Sequence, residues 1–329
     1  MGTKFWISIA ACALILIAVL CVAPLIGSAP IHYGRALAGL APDSVILFYA
    51  RLPRVLLALL AGGTLGVAGV LFQALLRDAL ATPYTLGISS GASLGAVLAI
   101  CLGWREIGRL PGVWVCAFAG AALVLLLVLG IASEGCRMSS FTLLLAGITI
   151  NSICLAVILF LQNLANFGQS FAIVHWLMGG IDPVEYSTLG WLALGVLPAL
   201  AYVFYRARDW NLLAVGEDWA AARGVSVSRL LLAGYLIGSF VTGSVTALTG
   251  PIGFVGLIVP HALRLWLGAD HRLLIPCSFL LGAAFLAACD TLARTILAPS
   301  EIPVGVVTAL LGGPFFIWLL RSRRRSLWL

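Results

Sequence analysis

Long apolar runs, broken by short stretches of Pro, Gly or charge, dominate the chain. They predict helices over 5–27, 52–75, 85–103, 112–132, 141–163, 188–205, 229–248, 254–268, 273–293 and 303–320. A helix that crosses a bilayer needs about 20 apolar residues. With short connections, 329 residues leave room for roughly ten such crossings. The expected fold class is therefore an all-α polytopic membrane protein with about ten transmembrane helices, forming a single unit over 1–329. The first run, Phe5 to Ile26, is too long for a signal-peptide core and more runs follow, so it reads as the first membrane helix. Gly62 and Gly66, Gly91 and Gly95, and Gly234 and Gly238 form GxxxG pairs. Such pairs let helix backbones approach closely in lipid, and helix packing is the plain account of them.

Two connections stand out. The segment 206–228, RARDWNLLAVGEDWAAARGVSVS, is the longest polar stretch on its side. Glu217 and Asp218 stand where a helix N-terminus favours anions, Ala220 to Ala222 are good helix formers, and Gly224 can cap the end. A short amphipathic helix outside the bilayer is expected, either as an ordinary solvated loop helix or as a docking surface. The segment 164–187 contains HWLMGGIDPVEY, and Trp176 with Gly179-Gly180 suggests a short re-entrant or interfacial helix.

Composition narrows the class further. Hydrophobic types make up 62% of the chain and charged types 9%, with a mean hydropathy of +1.12. A soluble domain carries about 25% charged residues, so a soluble protein, a disordered chain and a nucleic-acid binder are all excluded. Lys4 is the one lysine beside 18 arginines. With the N-terminus inside, Lys4, Arg77, Arg137, Arg206, Arg208, Arg223, Arg229, Arg264, Arg272, Arg321 and Arg323 to Arg325 fall inside. Arg35, Arg51, Arg54, Arg105, Arg109 and Arg294 fall outside. This bias predicts both termini on the cytoplasmic side and leaves six outer cations to explain. The eight cysteines show no CxxC spacing and mostly lie in apolar runs, where they behave as small hydrophobes; no metal site is expected.

Several chemistries lack their residues. A P-loop needs a lysine after its second glycine, and Lys4 does not stand in that context, so any ATP coupling must come from another chain. There is no HExxH. Gly87-Ile88-Ser89-Ser90-Gly91 matches GxSxG, which leaves an intramembrane serine hydrolase using Ser89 as an alternative from another class. That motif needs a strand before the serine, whereas here it opens a membrane helix. The candidate bases, His175 and His261, fall on opposite sides and could not both serve Ser89. Asp290 and Arg294 are four apart, which suggests an intrahelical ion pair. No buried series of Asp, Glu or His suggests a proton-driven carrier.

The segment RLPRVLLALLAGGTLGVAGVLFQALLRDALATPYTLGISSGASLGA (51–96) resembles the second and third helices of the FecCD-type permeases, the membrane subunits of ABC importers for ferric siderophores, haem and cobalamin. GEDWAAARGVSVSR (216–229), GPIGFVGLIVPHALRLWLGADHRLLIP (250–276), DTLAR (290–294) and EIPVGVVTALLGGPFFIWLLR (301–321) continue the likeness in the family's order. The resemblance implies a ten-helix permease in a bacterial inner membrane, paired with a second copy or a paralogue. It also implies two ATP-binding subunits, which carry the ATP and Mg, and a periplasmic or lipid-anchored substrate-binding protein. The chain itself would hold no cofactor and catalyse nothing. The implied cargo is a ferric siderophore or related metal chelate, with haem or cobalamin as the alternative.

The resemblance also implies roles for particular residues. Arg51, Arg54 and Arg294 match outer arginines that pair with glutamates of the binding protein; the plainer account of RLPR is an anchor at a helix start. Gly216, Glu217, Ala220, Arg223 and Gly224 match coupling helices that meet the ATPase. Asp78 to Leu80 and Ser139, Ser140 and Phe141 match the segments that close the inner end of the pathway, with Asp78-Ala79 standing where the family usually has Asn-Pro. Thr149, Asn151 and Ser152 are expected to line the pathway, because polar groups in a span should face water or protein.

Overall fold

The computed structural model describes residues 3–108, 110–134, 137–138 and 140–322, with side chains described over 5–108, 110–132, 141–318 and at 321. The expectations for Ser139, Cys136, Arg109 and Arg323 to Arg325, and for the side chains of Lys4, Arg137 and Ser140, lie outside this description.

Apart from two short antiparallel strand pairs, Glu106–Ile107 with Leu110–Pro111 and Ser133–Glu134 with Arg137–Met138, the described ordered elements are helices. In chain order they are α1 (Thr3–Val22), α2 (Tyr33–Leu37), α3 (Asp43–Val45), α4 (Leu52–Leu76), α5 (Ile88–Leu102), α6 (Gly112–Ala132), α7 (Ser140–Leu164) and α8 (Phe167–Met178). They continue with α9 (Tyr186–Tyr205), α10 (Ala207–Val215), α11 (Glu217–Ala222), α12 (Val227–Thr249), α13 (Val255–Leu267), α14 (His271–Ala293) and α15 (Val304–Ser322). The π-helical stretch Ile46–Arg51 joins α3 to α4. A helix stands at each of the ten expected places. Among the described residues, seven are long and apolar enough to cross a bilayer, Ile88–Leu102 and Val255–Leu267 are shorter apolar helices, and α15 is apolar over Val304–Trp318.

α4 is the central helix, and nearly its whole length from Ala61 to Leu75 is buried. Its glycines explain how. A Cβ on Gly62 would stand 2.3 Å from the Gly282 carbonyl oxygen of α14, and one on Gly66 2.5 Å from that of Ser278. α4 and α14 therefore pack backbone to backbone, running antiparallel. Gly69 meets α13 in the same way, where a Cβ would lie 1.8 Å from the Gly256 carbonyl oxygen. A second seam joins α5 to α6 through Gly91, Gly95 and Gly120. Without a hydrophobic driving force between helices in lipid, close backbone approach is what dispersion and weak polar contacts require. Gly234 and Gly238 of α12 instead receive the rings of Trp210 and Phe72.

The sequence expects a full crossing over 254–268, and the structure corrects this. α13 holds 13 residues, or about 20 Å at 1.5 Å per residue, against a hydrocarbon core of about 30 Å. Its first turn abuts Leu65 and Gly69, in the middle of α4. α13 is thus too short for a full crossing and begins inside the bundle. The irregular stretch before it is packed in protein: Ile252 is buried and its carbonyl accepts from the Tyr84 hydroxyl. Non-helical backbone at this depth is tolerated only under such cover.

The expected interfacial helix in 164–187 is α8. Asn166 and Gln169 close a reciprocal capping box at its start. The Gly179-Gly180 turn that follows is wedged between α12 and α15: Gly180 N–H donates to the Thr249 carbonyl at 2.9 Å, and Gly305 N–H to the Gly179 carbonyl at 3.1 Å. The connections place α8, the end of α14 and the start of α15 at one end of the bundle, the far end. α10, α11 and the start of α14 lie at the opposite, near end, where α4 finishes.

Candidate functional site

At the far end, Arg51, Arg54, Arg294, Asp182 and Glu301 line a cavity of about 340 Å³, and Asp290 is buried behind Arg54. Arg54 is the hub: its Nη2 lies 3.0 Å from Asp290 of α14, and its Nη1 2.6 Å from Glu301. The predicted pair within α14 is present, yet Arg294 Nε stands 3.8 Å from Asp290 Oδ2, farther than Arg54. Arg294 is 2% exposed and donates at 2.7 Å to the carbonyl of Ala23. Arg51 is 7% exposed and donates to the carbonyls of Pro24, Leu25 and Ala29. Arg51 and Arg294 thus pin the chain after α1 to the starts and ends of its neighbours. Arg54, Asp182 and Glu301 are the charged residues here that reach the surface, Glu301 with 41% of its side chain exposed. With Asp182 counted, three cations face three anions and the cluster is balanced in charge.

At the near end, α10 and α11 are tied to three membrane helices. Trp210 is fully buried, donates from its indole to the Val203 carbonyl at 3.0 Å, and lies against Gly234 of α12. The Asn211 side chain donates to Asp270 at 2.8 Å and accepts from the His271 N–H at 2.8 Å, which fixes α10 to the start of α14. Burial pushes the Asp270 carboxyl up, but the Asn211 amide, the Arg272 N–H and the Arg272 charge outweigh it and hold it below its ordinary value. Glu217, the first residue of α11, pairs at 3.0 Å with Arg77, the left-handed cap residue of α4. Gly224 closes α11 with φ of +82°, a conformation glycine adopts without cost. Ala220 is fully buried, so it supports α11 from beneath. Glu217, Gly216, Arg223, Gly224 and the exposed Trp219 form the outer surface.

Asp78, Ala79 and Leu80 are exposed in the turn after α4, and Asp78 accepts from the Leu80 N–H at 2.9 Å. This Asx turn gives the loop a restraint that the missing proline does not supply. Phe141, in the first turn of α7, is 72% exposed. Along α7, Leu143, Ala146, Ile150, Cys154 and Ile158 form the buried face. Thr149 and Ser152 lie on the opposite, exposed face and Asn151 is half-buried. The Thr149 and Ser152 hydroxyls donate to the carbonyls of Leu145 and Ile148, so neither leaves an unsatisfied group on that face.

Ser89 is buried in the first turn of α5, and turns rather than a strand precede it over 77–87. The nucleophile elbow therefore has no scaffold, and the hydrolase alternative finds no support. Sequence reasoning had no handle on Asn211, Asp270, Arg77 or Glu301 as members of these clusters. Each acts through a partner between 59 and 247 positions away along the chain.

A glycine-seamed bundle with a charged cluster at one end and a helical elbow at the other defines a multi-pass membrane permease. The sequence profile of the FecCD transport family matches residues 14–322, and the chain belongs to that family. It is a permease of the ABC importer class. Among its relatives, the hemin transport system permease HmuU of Yersinia pestis is 40% identical over 278 residues, covering 84% of this chain and 83% of that protein. The vitamin B12 import permease BtuC of Escherichia coli is 39% identical over 289 residues, 85% of each. A solved metal-chelate type ABC transporter in an inward-facing conformation superposes with a TM-score of 0.82 at 29% identity, covering 96% of this chain and 99% of that one.

Proposed function

We propose that the chain is the translocation subunit of an importer that carries a ferric siderophore or related metal chelate across a bacterial inner membrane. The family match over nearly the whole chain supports this most directly. It works as a homo- or heterodimer, with both termini and the α10–α11 elbow on the cytoplasmic side. Two separate subunits bind ATP and Mg and dock on α11; a periplasmic or lipid-anchored binding protein docks on the far end. The chain has no catalytic step of its own and alternates between outward- and inward-open states as its partners hydrolyse ATP. Thr149, Asn151 and Ser152 line the path, and 78–80 with 140–141 close its inner end.

In this reading the docking arginines divide their labour. Arg54 presents its guanidinium to an acidic partner, while Arg51 and Arg294 hold the frame around it. Haem or cobalamin as cargo is the second reading, favoured by the names of the two relatives above. Uptake of radiolabelled ferric siderophores, haem and cobalamin by a deletion strain complemented with this chain separates them. Uptake of a ferric siderophore alone is the expected result. Uptake of only cobalamin or haem replaces the first reading by the second, and uptake of none of the three overturns both.

A further inference from the structure

The near end carries a second cavity, beside the elbow's contact with α14. It measures about 540 Å³ and is lined by Phe204, Tyr205, Arg206, Ala207, Arg208, Asp209 and Arg272. Three arginines therefore converge where α9 ends, α10 begins and α14 begins. Arg206 pairs with Asp209, and Arg272 stands 3.5 Å from Asp270. Arg208 is exposed and has no carboxylate partner among the described residues. The cluster keeps one positive charge after both acids are counted. Tyr205 beside it is 81% exposed, in the place an interfacial aromatic occupies.

A groove of about 300 Å³ opens from the same place and runs toward the bundle's middle between α9 and α14. Its walls include Leu197, Leu200 and Ala201 of α9 and Ile275, Phe279 and Leu280 of α14, with Val67 of α4 at its floor. Phe204 lines both spaces, so the basic cavity and the apolar groove adjoin at that side chain. A head region that attracts one anion, joined at membrane-interface depth to a narrow apolar slot, matches one class of molecule by charge and shape.

We propose that this joined cavity and groove is a binding site for an anionic phospholipid, with the phosphate among Arg206, Arg208 and Arg272 and one acyl chain between α9 and α14. Basic pockets between membrane helices bind anionic headgroups through this combination. Because Arg206 is the residue at which α9 passes into α10, a lipid held there ties the elbow to the membrane surface. The site stands whatever cargo the protein carries; the proposed orientation decides only which leaflet supplies the lipid.

The test uses the assembled transporter, purified in detergent with either phosphatidylglycerol or phosphatidylcholine added, and counts retained lipid by native mass spectrometry. The wild type is expected to retain phosphatidylglycerol in preference to phosphatidylcholine. Arg208→Gln and Arg272→Gln should each weaken retention about fivefold, the factor for one cation near an anionic headgroup. Ala201→Trp, which fills the groove and leaves the arginines in place, should weaken it as well. Millimolar inorganic phosphate should not displace the lipid. Equal retention of both lipids, or retention unchanged in all three variants, overturns the proposal. Full displacement by phosphate with no effect of Ala201→Trp would reduce the site to a phosphate cavity and overturns the lipid assignment. Loss of ATPase assembly in the arginine variants with lipid retention intact would assign the cavity to the partner subunit instead.

Discussion

Arg54 shows how one side chain can carry two kinds of interaction at once. Toward the interior it neutralises Asp290, whose side chain is 1% exposed; toward the surface it holds the half-exposed Glu301. Removing one partner of a buried pair costs roughly 3–5 kcal/mol, because a charge is left uncompensated, whereas an exposed pair contributes about 0–1 kcal/mol. Arg54→Gln is therefore expected to lower the thermal stability of the purified protein clearly. Glu301→Gln should change it little, and equal shifts for both would contradict the division. The neighbouring Asp290–Arg294 spacing was legible in the sequence, since helical period alone brings those residues together. That Arg54 is the closer partner was not, because 236 positions separate it from Asp290.

The glycine pairs were legible at the level of elements, but their partners were not. Gly69 sits outside the quoted pairs, yet its approach to Gly256 is the tightest among the described glycines. Gly69→Ala puts a methyl where a backbone oxygen stands, and overpacking of that kind costs about 1–3 kcal/mol. Gly190 of α9 faces open space, so Gly190→Ala should be neutral or stabilise by up to about 1 kcal/mol. Melting curves of the two variants in the same detergent check the contrast. The apolar run over 254–268 reads the same whether its helix crosses the bilayer or starts halfway through. Depth is fixed by what the chain packs against, and here that is the middle of α4. By contrast, α8 was legible because Trp176 and the paired glycines leave little room for a full crossing.

Across the whole molecule, the far-end cluster and the near-end elbow are joined by α4 and α14, which contribute residues to both. Arg77→Ala removes the Glu217 pair, an exposed contact whose loss should change stability by less than about 1 kcal/mol. It should nevertheless lower the uptake achieved per ATP hydrolysed, as should changes at Glu217 and Arg223. Reconstituted vesicles that report both rates make the measurement, and an unchanged ratio would remove α11 from coupling. The Asp270 anchor adds a pH expectation. A carboxyl held below its unfolded value contributes stability above that value and loses it as pH falls through the lowered one. The elbow should therefore stay attached in mildly acidic buffer and loosen only in stronger acid, which hydrogen exchange across 207–222 would record.

The three fixings of the α10–α11 elbow, at Trp210, Asn211 and Glu217, also settle where the protein is stiff. A bracket fastened at three points to three separate beams has no tilt of its own to absorb a push. Force applied to α11 must emerge as displacement of α4, α12 and α14 together. The give has to lie in segments without such fastening, and the exposed turn 78–80, which follows the Arg77 fastening, is one of these.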